Sequence, residues 1–187
     1  KNMTKKAIFT LFLSAILTSC VKERDLSQNT VISHITAQPD GLHPYNNNSV
    51  MRSYIFDYTQ KTLIRLDLKT LDYIPDLLKK LPTSSNDNKT FYFELKENIR
   101  WDDGSLLTAE DIVFSTKIML CHLTDNSQIR PVYNSVIESV KVDPNNKFKF
   151  SMRALDVNWT AKTILGGIYI QQKKYWDPNG ILEKISF

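Results

Sequence analysis

The stretch Phe91-Tyr92-Phe93-Glu94-Leu95-Lys96 alternates without interruption, with Phe91, Phe93 and Leu95 on one face and Tyr92, Glu94 and Lys96 on the other. A period of two over this length specifies a half-buried strand. Trp101-Asp102-Asp103-Gly104 then supplies an Asp-Gly turn. Four residues later Thr108, with Asp111 three positions on, forms a capping-box variant that opens a helix. That helix carries Ile112, Met119 and Leu123 on one side and Phe114, Ile118 and Cys121 alongside, so it is expected to be mostly buried. Strand, tight turn and buried helix within thirty residues already demand a mixed architecture.

The flanking chain agrees. Thr30 to Ala37 is β-rich and ends at the turn signal Gln38-Pro39-Asp40-Gly41. Asn46 to Ser49 caps a helix expected to run through Val50, Tyr54, Ile55 and Tyr58. A short strand at Leu63 to Leu66, a turn at Asp67 to Thr70 and a second strand at Leu71 to Ile74 follow, with a polar loop at Ser84 to Lys89. Val136, Val140 and Val142 face Phe148, Phe150 and Met152 across a turn at Asp143-Pro144-Asn145-Asn146. With no internal repeat, strands and helices intermingle, and the fold class is mixed α/β (α+β).

The N-terminus is of another kind. Lys5 and Lys6 precede a stretch from Ala7 to Leu17 that is apolar except for Thr10 and Ser14. As a helix it would rise only about 16 Å, too short for a bilayer but right for a secretory signal peptide. Leu17-Thr18-Ser19-Cys20 resembles a lipobox, in which the signal is cut before a cysteine whose thiol takes a diacylglyceryl group. The expected organisation is a signal peptide at 1–19, a lipidated tether at 20–29 and a folded region at 30–187. Cys20 is the lipidation site, and Lys22-Glu23-Arg24-Asp25 loosely resembles signals that send lipoproteins to the outer cell surface. Cys121 then has no disulfide partner and reads as a small buried hydrophobe.

Charge and side-chain chemistry narrow the function. The net charge of +4 owes three units to Lys1, Lys5 and Lys6, so the chain beyond residue 19 is close to neutral and offers no nucleic-acid face. Asp102 and Asp103 sit in a turn that favours Asp, and Glu110 and Asp111 suit a helix N-terminus. His34, His43 and His122 have no metal-ligand spacing. No catalytic constellation, metal site or cofactor motif is present, and the chain is not expected to be an enzyme.

Several stretches in order resemble the extracytoplasmic solute-binding proteins, family 5, which serve peptide, dipeptide and nickel importers. Ala37 to Pro44 is similar to the family's opening loop, and Leu63 to Asp67 with Ile74 to Leu77 to its next segment. The fullest match runs from Lys89 through Gly104 and on through Leu107 to Ser115. Lys79-Lys80-Leu81 departs from the pattern by lacking a tryptophan, and His43 stands where the family commonly has Asp. The resemblance implies the N-terminal part of a two-lobed, periplasmic-binding-protein type II-like fold, in which Phe91, Phe93 and Trp101 are packing residues. It implies capture of extended peptides for an ABC importer, with importer permease subunits and a membrane, through the lipid anchor, as partners. The expected location is the periplasm or cell surface. Asp40, Gly41, Leu42 and His43 match a cleft-lining position, Gly41 letting the ligand approach the backbone. Ile185-Ser186-Phe187 reads as the start of a further strand, so the chain is expected to be a fragment without its second lobe. Alternatives are the same fold binding a nickel complex, a sugar or a signalling peptide, and a membrane-anchored interaction protein without transport.

Overall fold

A computed structural model describes residues 32–45, 49–122, 124, 129–157 and 161–182. Cys20 and the expected signal, tether and final strand lie outside the described residues. Residues 35–187 form one compact unit, and of residues 1–34 only 32–34 are described. The elements of the larger unit are α1 (Val50–Thr59), β1 (Ile64–Leu66), β2 (Tyr73–Pro75), β3 (Thr83–Ser84), β4 (Thr90–Glu94) and α2 (Ala109–Leu120). They continue with α3 (Ile129–Asn134), β5 (Ile137–Asp143), β6 (Asn146–Ala154), α4 (Ala161–Gly166) and α5 (Lys173–Trp176).

A four-stranded antiparallel sheet of order β3-β4-β6-β5 is the centre of the unit. Its register puts Phe93 opposite Phe150 and Phe91 opposite Met152, all turned inward and nearly inaccessible. The Phe93 and Phe150 rings stack with centroids 4.7 Å apart. Across the Asp143–Asn146 turn, Val140 joins the same layer opposite Met152. A register shift between Ile137 and Ser139 turns both Ile137 and Val140 inward, which strict alternation from Val136 would not. Helix α2 packs against β5 and β6 and closes the core.

β1 and β2 form a separate antiparallel ribbon joined by the Asp67 turn, where Asp67 Oδ1 accepts the Lys69 N–H at 2.8 Å. This ribbon is tied to α4. Leu63 N–H donates to the Gly166 carbonyl at 3.0 Å, and a Cβ at Gly166 would collide with the Ile64 side chain. Lys79, in the segment that departs from the family pattern, pairs with Glu94 at 2.8 Å and Glu97 at 2.6 Å.

Three expectations are corrected. Residues 32–37 make no strand; Ile32 is 80% exposed, and no backbone ladder partner lies beside the segment among the described residues. An extended segment becomes a strand only when a neighbour satisfies its N–H and C=O groups. Helix α1 forms as expected, with Val50, Tyr54 and Tyr58 facing outward and Arg52 and Phe56 buried. The polar stretch expected as loop from Ser84 begins in strand, because Thr83 and Ser84 pair with Tyr92 and Phe91. Helix α2 stops at Leu120, leaving Cys121 as a half-buried cap residue and not a core one.

Candidate functional site

The segment Asp40–His43 runs over the surface, with Asp40 and Leu42 exposed and Gly41 and His43 half-buried. Gly41 is not among the glycines with positive φ, which are Gly104 and Gly180 among the described residues. A left-handed backbone is therefore not what this loop requires of Gly41. No backbone hydrogen bond engages Asp40, Gly41 or Leu42 among the described residues.

What holds the loop is the next turn of chain. The Tyr45 hydroxyl, fully buried, donates to the Tyr169 carbonyl, and burial pushes its phenol far above the usual range, so it stays a donor. Arg52, also buried, reaches back from α1 to donate from Nη1 to the His43 carbonyl at 2.9 Å. Its guanidinium lies 5.5 Å from the centre of the Phe56 ring, and Phe56 meets Tyr169 edge-on at 5.1 Å. His43 in turn meets Trp176 edge-on at 5.6 Å, and Trp176 meets Tyr175 at 5.5 Å. The loop is thus backed by aromatic rings drawn from both ends of the described chain.

His43 Nδ1 accepts the Tyr45 N–H at 3.2 Å, which a doubly protonated ring cannot do. Burial, and then the nearby Arg52 charge, hold its pKa below the ordinary 6.5. The folded state therefore favours neutral imidazole, and an unfolded chain takes up the proton first as pH falls. This contribution to stability is complete above about pH 6.5 and is lost as pH drops through the folded-state value. Melting curves between about pH 7.5 and 5 are expected to show a falling midpoint, and His43→Gln is expected to flatten that fall. Equal slopes in the two proteins would refute the assignment.

The segment bearing Trp176 is fixed by α2. Ser115, with no exposure, donates through Oγ to the Asp111 carbonyl at 2.6 Å and accepts the Gln171 N–H at 2.7 Å. The Asp111 carboxylate, 6% exposed, accepts Thr108 N–H at 2.9 Å, Lys173 N–H at 2.9 Å and Trp101 Nε1–H at 3.4 Å. Asp103 adds an outer tie, accepting from Ser105 and from Gln172 at 3.0 Å; these bonds hold its carboxyl well below the usual range. The Thr108-Ala109-Glu110-Asp111 block and Ser115 are therefore fasteners for residues 171–173. Sequence reading singled out the loop by resemblance and did not single out Tyr45, Arg52, Tyr169 or Trp176, which surround it. Arg52, the one basic residue in α1, was the available signal.

The family model for bacterial extracellular solute-binding proteins, family 5 (middle), matches residues 72–184. The chain belongs to this family, a solute-binding class. Its fold is that of part of the two-lobed structures in the family. The ABC transporter substrate-binding protein CtaP of Listeria monocytogenes is similar at 23% identity with a TM-score of 0.64, over 80% of this chain and 30% of that one. The oligopeptide-binding protein AppA of Bacillus subtilis, solved with a nonapeptide, gives 18% identity and a TM-score of 0.62, over 74% and 26%. NikZ of Campylobacter jejuni, solved with Ni(L-His), gives 19% and 0.61, over 76% and 27%. The chain thus spans less than a third of the length of these proteins. No curated protein matches it.

Proposed function

We propose that residues 30–187 are the N-terminal part of a binding protein, anchored by lipid at Cys20 after removal of residues 1–19, that captures extended peptides for an ABC importer. Family membership carries this reading, and the open backbone at Asp40–Leu42 beside the His43 and Trp176 rings supports it. An extended peptide pairs its main chain with such a segment by strand addition, while its side chains meet the aromatic backing and water. Importer permease subunits take the peptide from the closed cleft, and closure requires two lobes around a hinge.

The test is a thermal-shift series with mixed short peptides on the protein expressed from its whole reading frame and on residues 20–187 alone. A ligand at about a hundredfold over Kd stabilises the folded state by about 2.7 kcal/mol. The whole protein should shift, the piece should not, and membrane association should require Cys20. Peptides that leave the whole protein unshifted would overturn peptide capture, and a shift in the piece would overturn the two-lobe requirement.

A further inference from the structure

A concavity elsewhere on the unit shares no residue with the Asp40–His43 loop. It is a pocket of about 390 Å³ between the C-terminal end of α1 and the Trp101 turn. That volume falls within the range of small-molecule sites. Its floor is apolar, built from Leu77, Leu107 and Ile170, each almost wholly buried. Trp101 forms a wall whose orientation is held by the indole bond to Asp111.

The lining carries both signs of charge. Asp102 makes no side-chain hydrogen bond or ion pair among the described residues. Thr59 and Gln60 bring the carbonyl end of a ten-residue helix to the same pocket. A helix C-terminus and a carboxylate both favour an ammonium group. Lys61 and Arg100 supply the opposite sign. Lys61 is 70% exposed and only loosely paired, 3.8 Å from Asp76, so its ammonium is available to a carboxylate.

We propose that this pocket binds a free amino acid with an apolar side chain. The ammonium sits toward Asp102 and the end of α1, the carboxylate toward Lys61 and Arg100, and the side chain rests against Trp101 over the leucine floor. A single charge on the ligand leaves half of this lining unmatched, which is why a zwitterion fits better than an amine or an acid. The proposal uses none of the residues invoked for peptide capture.

Isothermal titration of the protein from its whole reading frame with L-phenylalanine tests it. L-Phenylalanine should bind, and N-acetyl-L-phenylalanine and L-phenylalaninamide should each bind about tenfold or more weakly, since each lacks one charge-assisted contact. Asp102→Asn should weaken phenylalanine and leave the N-acetyl compound unchanged. Lys61→Gln should weaken phenylalanine and leave the amide unchanged. Gln60→Phe, which fills the pocket, should abolish binding, and His43→Gln should not affect it. The melting midpoint of each unliganded variant checks its folding. Absence of phenylalanine binding at about 10 mM, the weak end of specific association, would overturn the proposal. So would binding that Asp102→Asn and Gln60→Phe both leave intact, or binding displaced by a peptide that depends on His43.

Discussion

Asp111→Ala is expected to lower the unfolding free energy by about 3 kcal/mol, as read from the urea midpoint and slope. The change strands the Thr108 and Lys173 N–H groups in a region where the carboxylate itself is 6% exposed. Bonds to a charged acceptor contribute about 1.5–3 kcal/mol each, and a buried donor left unpaired costs about 1–3 kcal/mol. Relief from burying a carboxylate offsets part of this loss. The effect should not stop at stability. Lys173 begins α5, and α5 carries Trp176 against His43. The variant should therefore also raise hydrogen exchange at 171–176 and alter Trp176 fluorescence. A loss under about 1 kcal/mol would mean that the three donors find other partners.

Phe150→Ala is expected to cost about 4 kcal/mol, within the range for deleting a buried phenylalanine. Phe150 is 2% exposed and stacks on Phe93 in the middle of the sheet, so the cavity has little room to collapse. The stack itself adds about 0.5–1.5 kcal/mol beyond area burial. The contrast with Asp111 lies in where the damage falls. Phe150 belongs to β6, between β4 on one side and β5 on the other, and its cross-strand neighbours are Phe93 and Val142. Chemical denaturation should show the loss, while exchange at 171–176 in the folded state should stay close to that of the parent. Loosening at 171–176 equal to that of Asp111→Ala would show that the sheet and the loop supports are one unit.

Legibility in the sequence followed locality. The β4 alternation, the β5–β6 hairpin, the β1–β2 ribbon and the Thr108 start of α2 all rest on signals close together in the chain, and each appears in the structure. Helix α1 was legible as a helix, but its buried face was not. Val50, Tyr54 and Tyr58 make an apolar stripe at helical spacing, yet Arg52 and Phe56 are the ones buried, because the arginine has the His43 carbonyl to serve. A stripe reports amphipathicity, not which side the rest of the chain covers. The loop at Asp40–His43 was singled out by resemblance alone, and the residues that hold it were not legible at all. Tyr45 and Tyr169 are 124 positions apart, and no periodicity links such a pair.

The Ser115 and Asp111 ties have a consequence for the order in which this chain can fold. Gln171 is 56 positions beyond Ser115, and Lys173 is 62 beyond Asp111. A chain delivered N-terminus first has α2 complete long before these two donors arrive. Until then the Asp111 carboxylate has only its near neighbours Thr108 and Trp101 as donors, and the Ser115 hydroxyl only the Asp111 carbonyl. The last hydrogen bonds of this buried polar group therefore close only once residue 173 has emerged.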